Sequence, residues 1–178
     1  MALKNFTANT NRSLIHWTGK KITGSHTGTI NLSAGNLELE DGKIIGGSFD
    51  FDTKSIEITD IEDPKTNKEF KDHLFHDDFF SVDKFPTSQL LIENATHVSG
   101  RQYKIEGVLT IKDISHPVSF TATVETFTDT LHSLGEIVID RTMYNIRYGS
   151  GKFIDNLGDK LIYDDFILQF KLVAQRQN

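Results

Sequence analysis

Strict alternation of apolar and polar side chains constrains this chain more than any other feature. Across residues 118–125, Val118, Phe120, Ala122 and Val124 alternate with Ser119, Thr121, Thr123 and Glu125. A period of two places the two sets on opposite faces of a β-strand, whereas like-faced residues of a helix recur every three or four positions. The pattern returns with Leu90 and Ile92, with Tyr103, Ile105, Leu109 and Ile111, over residues 134–140, and with Phe166, Leu168, Phe170 and Leu172. Residues 14–20 read as a first strand carrying Trp17, and residues 26–40 as a second, interrupted at Ala34-Gly35-Asn36. Asp41-Gly42 then fits a type I′ hairpin turn, which needs φ > 0 at both central positions. In the following strand Phe49 and Phe51 share one face, Ile56 and Ile58 take it over, and the slip of phase after Asp52 predicts a bulge.

These stretches predict an all-β chain, a single domain over residues 1–178 with eight strands in an antiparallel meander and one short helix. Eight such strands can close into a barrel that leaves no edge and encloses either packed side chains or one small ligand. A two-sheet sandwich satisfies the same alternation. The helix is expected over residues 67–76, started by a capping box of Thr66 and Glu69, with Phe70 and Leu74 stacked four residues apart.

One segment has neither period. His76-Asp77-Asp78-Phe79-Phe80-Ser81-Val82-Asp83-Lys84-Phe85-Pro86 sets three phenylalanines among charges between the helix and the next strand, so its rings must fold onto apolar surface made elsewhere. Residues 141–159 are likewise irregular and glycine-rich, with Phe153 among them. The chain has 13 phenylalanines against one tryptophan and four tyrosines, a large apolar area carrying few hydroxyls that need partners. Filling a core accounts for each ring singly; covering the opening of an apolar lumen accounts for the placement of Phe79, Phe80, Phe85 and Phe153.

Several chemistries lack support. The chain contains no cysteine, which removes disulfides, thiolate nucleophiles and Cys-ligated zinc. With 19 Lys and Arg against 25 Asp and Glu, its net charge of -6 opposes nucleic acid and anionic membrane surfaces. His73 and His76 beside Asp77 and Asp78 have metal-like spacing, yet zinc requires three or four converging ligands, and no metal or cofactor is expected. Gly149-Ser150-Gly151-Lys152 lacks the first glycine and the closing Ser or Thr of a phosphate loop, and there is no Gly-x-Ser-x-Gly elbow. No run of 18 apolar residues is present, so no integral membrane segment is expected.

Three separated motifs resemble the YceI-like family of polyisoprenoid-binding proteins. They are Leu74-x-x-Asp77-Asp78-Phe79-Phe80-Ser81-Val82-Asp83-Lys84-Phe85-Pro86, Gly107-Val108-Leu109-Thr110-Ile111-Lys112-Asp113-Ile114-Ser115-His116-Pro117-Val118, and Asp140-Arg141-Thr142-x-Tyr144-x-Ile146-Arg147-Tyr148-Gly149-Ser150-Gly151. The resemblance implies a lipocalin-like barrel that carries or sequesters an isoprenoid lipid or quinone without chemistry. It also implies export, to the periplasm or by secretion; the sequence starts without an export signal, so a cytoplasmic location stays open, as does a homodimer.

On this reading the tail contacts are Trp17, Phe49, Phe51, Leu90, Ile92, Leu109, Phe120, Phe166, Leu168 and Phe170, with Phe79, Phe80 and Phe153 at the entrance. His26, Arg141 and Arg147 are the head-group candidates. The alternative is an enzyme at the barrel mouth using His26, or His73 with His76, for acid-base or metal work. A filled barrel acting only as an interaction module is a third reading.

Overall fold

The computed structural model describes residues 2–177. Its strands are β1 (Leu3–Ala8), β2 (Leu14–Lys21), β3 (Gly24–Glu40), β4 (Lys43–Ile58), β5 (Thr87–Ser99), β6 (Gln102–Ile111), β7 (Ile114–Thr126), β8 (Thr130–Asp140) and β9 (Ile162–Arg176), with one helix, α1 (Pro64–Phe75), between β4 and β5. From β2 to β9 each strand pairs antiparallel with the next, and β9 pairs back onto β2, closing an eight-stranded barrel.

A ninth strand enters where the alternation predicted eight, because the first position of the ring is split. β2 pairs with the first part of β3 (His16 opposite Thr29), while β1 pairs with its last part (Phe6 opposite Leu37) and also with the end of β9. Residues 9–13 interrupt the two halves. They are pinned where they leave the sheet: the Asn9 amide donates to the Val173 carbonyl, and Ser13 Oγ accepts from the Val173 amide.

Ala34-Gly35-Asn36 does not break β3. The strand runs through it with register shifts at 29/31 and 32/34, so the interruption in the pattern is a bulge. β4 shows the predicted bulge and another before it. Leu39 opposes Ile44 while Glu38 opposes Gly46, and Asn31 opposes Asp52 while Thr29 opposes Glu57. Each extra residue moves the inward face by one, from Ile44 to Phe49 and Phe51, then to Ile56 and Ile58. The hairpin after β3 has φ of 50° at Asp41 and 82° at Gly42, as the Asp-Gly turn requires.

The helix begins three residues earlier than its sequence signal. Asp63, rather than Thr66, is the N-cap: its carboxylate accepts from the Thr66 amide at 3.0 Å and the Thr66 hydroxyl at 2.6 Å, and Pro64 opens the helix. Proline's fixed φ suits a first helical position whose amide is unbonded in any case. The expected Thr66–Glu69 capping box is therefore replaced by Asp63-Pro64-x-Thr66. The Asn67 amide group donates to the Ile58 and Ile61 carbonyls, fixing α1 across the end of β4.

The two barrel ends differ. The three hairpins joining β3–β4, β5–β6 and β7–β8 are tight, and at their end Phe6, Leu39 and Leu131 are almost fully buried. The other end carries the long connections, α1 with residues 76–86 and residues 141–161, the latter containing short 3-10 turns at Arg141–Tyr144 and Gly158–Lys160.

Candidate lipid-binding lumen

The barrel is hollow along its axis. Near the tight-hairpin end lies a narrow cavity lined by Ile15, Leu37, Phe49, Leu90, Ile92, Phe120, Phe170 and Leu172 among others. A second, roomier one lies toward the long connections and is lined by Trp17, Leu74, Phe79, Phe80, Leu109, Ile146, Phe166 and neighbours. Phe51 and Leu168 line both, so the two chambers adjoin at these side chains, which form a waist in the interior. The walls are almost wholly apolar, as an alkyl or isoprenoid chain requires, since each CH₂ moved from water into such surroundings contributes about 0.8 kcal/mol.

The ten predicted tail positions all lie on this lumen. Phe49, Leu90, Ile92, Phe120 and Phe170 face the inner chamber, Trp17, Leu109 and Phe166 the outer, and Phe51 and Leu168 the waist. Of the three predicted entrance rings, Phe79 and Phe80 line the outer chamber. Phe153 does not: it is an exposed side chain whose ring stacks under the Arg147 guanidinium at 4.4 Å. That pairing also takes Arg147 off the cavity wall, a correction to both assignments. Ile146 and Ser150 of the same irregular stretch are fully buried while Phe153 is exposed, so an aromatic side chain there is no guide to burial.

The outer chamber is closed by the three motifs, brought together from across the chain. Lys112, at the β6–β7 turn, donates to the Asp77 carbonyl at 3.2 Å and the Asn145 carbonyl at 3.1 Å, tying residues 76–86 to the 3-10 turn after β8. Arg141 lies 6.0 Å over the Phe79 ring, and His73 packs edge-on against Phe79 and Tyr148. His116 Nε2 sits 2.8 Å from the Met143 carbonyl oxygen. Residues 76–86 are held from within by amide bonds to the Leu74, Phe75, His76 and Ser81 carbonyls, and at their exit by Thr53, whose hydroxyl donates to the Phe85 carbonyl.

Arg141 is the most deeply buried arginine of the site, 4% exposed. Nε donates to the Tyr163 carbonyl, Nη1 to Ile146 and Nη2 to Ile162, at 2.8 to 3.1 Å. A guanidinium has five N–H donors, so two are left over beside the chamber. Burial pulls its pKa below the ordinary guanidinium value, with Asp164 and Asp140 opposing that shift. Burial likewise lowers the pKa of Lys112, against the pull of Asp77 and Asp78.

His26 reaches the chamber rim, where Nδ1 lies 3.2 Å from Asp60 Oδ2 and its ring 5.0 Å from that of Phe70. Lys20 and Lys21 are exposed on the same rim. His73 is engaged by the two aromatic rings, and His76 is exposed with Nδ1 3.5 Å from Asp78 Oδ2. Among the described residues no three His, Asp or Glu side chains gather as a metal site would need.

Two features escaped sequence reasoning. The indole Nε1 of Trp17 is buried without a hydrogen-bond partner. Opposite it, Gly28 makes room: a Cβ there would sit 2.5 Å from the Trp17 ring and 1.8 Å from the Glu57 carbonyl oxygen. The pairing Trp17-to-Gly28 is set by strand register, which a single sequence does not display.

A model of the YceI-like domain matches residues 6–174. The chain belongs to the YceI-like family. Among solved structures, Burkholderia cenocepacia BcnA superposes with a TM-score of 0.76 at 22% identity, covering 94% of this chain and 99% of that one. A polyisoprenoid binding domain from Saccharophagus degradans, described as implicated in plant cell wall breakdown, gives 0.70 at 10% identity, covering 97% and 98%. The Campylobacter jejuni YceI protein gives 0.60 at 15% identity, covering 90% and 85%. At such identities the likeness is one of fold, and a search of curated proteins finds no significant match.

Proposed function

We propose that this YceI-like barrel holds an amphiphilic isoprenoid lipid, a polyisoprenoid or isoprenoid quinone, as a carrier or store without chemistry on it. The observation that carries the proposal is the pair of apolar chambers that follow one another from α1 to the tight-hairpin end and share Phe51 and Leu168 as walls. The tail occupies the inner chamber and the waist. The head group lies in the outer chamber, where Lys20, Lys21 and Arg141 supply positive charge and spare N–H donors. The polyisoprenoid binding domain of Saccharophagus degradans supports the ligand class through its shared fold.

Size and hydrophobicity make such binding strong without catalytic groups. A five-carbon unit contributes roughly 3 to 4 kcal/mol before immobilisation costs, so a few units reach micromolar affinity. The test is organic extraction of protein purified from cells, followed by lipid mass spectrometry and uptake of added isoprenoids by the stripped protein. Copurification or uptake at one lipid per chain is expected. Absence of both overturns the carrier reading and leaves a barrel that serves as an interaction module.

A further inference from the structure

The unpartnered indole of Trp17 says what kind of lipid the lumen is made for. Buried side-chain donors are almost always satisfied, because an unmet one forfeits its bonds to water. Among the described residues, Trp17 Nε1 is the one buried side-chain polar atom with no partner, and the residue that carries it lines a cavity. The ring is held there by backbone: β2 pairs Trp17 with Gly28 on one side and Leu168 on the other, and only a glycine at 28 leaves room for the ring. Leu168 is a waist residue, so the indole is level with the start of the outer chamber, inward of the rim lysines.

A tryptophan that served only as apolar lining would gain nothing from an N–H at this depth; phenylalanine would fill the wall without it. Arg141, on the same chamber, also presents donors and no acceptor. We infer that Trp17 is a specificity-determining donor: its indole N–H bonds an acceptor oxygen on the bound lipid, carbonyl or phosphoryl, and thereby selects oxygen-headed isoprenoids over hydrocarbons of the same skeleton. The inference rests on the carrier reading above and adds to it the chemistry of the head group and its seat inside the barrel.

Trp17 is the sole tryptophan, so a ¹⁵N-labelled sample shows a single indole N–H resonance. Delipidated protein is titrated with farnesyl benzoquinone, farnesyl phosphate and farnesene. The indole proton is expected to move downfield with one or both oxygenated ligands and to stay in place with farnesene; which of the two moves it identifies the carbonyl or the phosphoryl source. Replacing Trp17 by benzothienylalanine, which keeps the ring shape and removes the N–H, is expected to lower the ratio of oxygenated-ligand to farnesene affinity about tenfold. Trp17→Phe should lower the same ratio in a genetically encoded form. If the oxygenated ligands bind but leave the resonance and the affinity ratio unchanged, the inference is wrong and the carrier reading stands. If none of the three binds, both fall.

Discussion

At the level of single residues, the lumen depends on small side chains as much as on large ones. Gly28 is the clearest case, since its Cβ position is already occupied by the Glu57 carbonyl and the Trp17 ring. Gly28→Ala must push apart β3 and β4 or expel the indole, an overpacking that costs about 1–3 kcal/mol. A lowered urea midpoint together with a red-shifted Trp17 emission is the expected result. Arg141 acts differently, as a clamp on three carbonyls from two chain segments. Arg141→Lys keeps a charge but its compact ammonium cannot span the three acceptors. Leaving buried carbonyls unmet, it should cost at least ~2 kcal/mol in chemical denaturation, and Arg141→Met no less. Sequence reading singled out Arg141 only as a head-group candidate, and its carbonyl partners at Ile146, Ile162 and Tyr163 could not be read from sequence: two lie more than twenty residues away.

Among the elements, α1 and residues 76–86 form a wall whose order is maintained by carboxylates. Asp77 is held below the ordinary carboxylate range by the Ser81 hydroxyl and then by Lys84, and Asp63 by the Thr66 hydroxyl and amide. At Asp140 burial acts upward, but the hydroxyl and amide of Thr142 outweigh it and the pKa is lowered. Each of the three binds protons more weakly when folded than unfolded. Their contribution to stability is complete above the unfolded value of 3.8 and is lost as pH falls through the lower folded values. Urea midpoints measured from pH 6 downward should therefore decline below about pH 4, and Asp77→Asn with Asp140→Asn should flatten that decline. An unchanged slope in the double variant would show that acid unfolding starts elsewhere. Phe80 lines the outer chamber and meets Phe166 edge-on at 6.3 Å. Phe80→Asp is expected to reduce lipid retention more than it reduces the melting temperature; equal losses would make the segment a structural plug only. The helix was legible from its apolar spacing, yet its start was misplaced, because Asp63-Pro64 competes with Thr66 for the cap and only the hydrogen bonds decide between them.

For the molecule as a whole, ligand and fold are coupled by mass action. A lipid that binds only the closed barrel stabilises it by about 2.7 kcal/mol at a hundred times its dissociation constant. Stripped protein should therefore melt lower than lipid-loaded protein, with the difference rising with added isoprenoid. The inner chamber sets how much tail is accepted. Ala122 is 3% exposed on its wall, and Ala122→Leu takes up space there. The variant is expected to discriminate against longer isoprenoid tails in competition while still binding short ones; an unaltered length preference would place the tail elsewhere.

Alternation by itself determined that the chain is all-β, which residues share the inward face, and that the segment before Pro86 must lie on apolar surface. Those properties follow from a two-residue period that a strand cannot escape. Tertiary structure decided between barrel and sandwich, because closure is a pairing of β9 with β2, far apart in the chain and unmarked by local pattern. It also decided that the interior is hollow. The enclosed volume depends on how bulges at residues 45–46 and 53–56 curve β4, and on which glycine stands opposite which ring, quantities fixed by register between strands. The same register sets Trp17 on the outer chamber with its Nε1 buried and unpartnered, so the strongest indication of ligand chemistry appears only once the strands are paired.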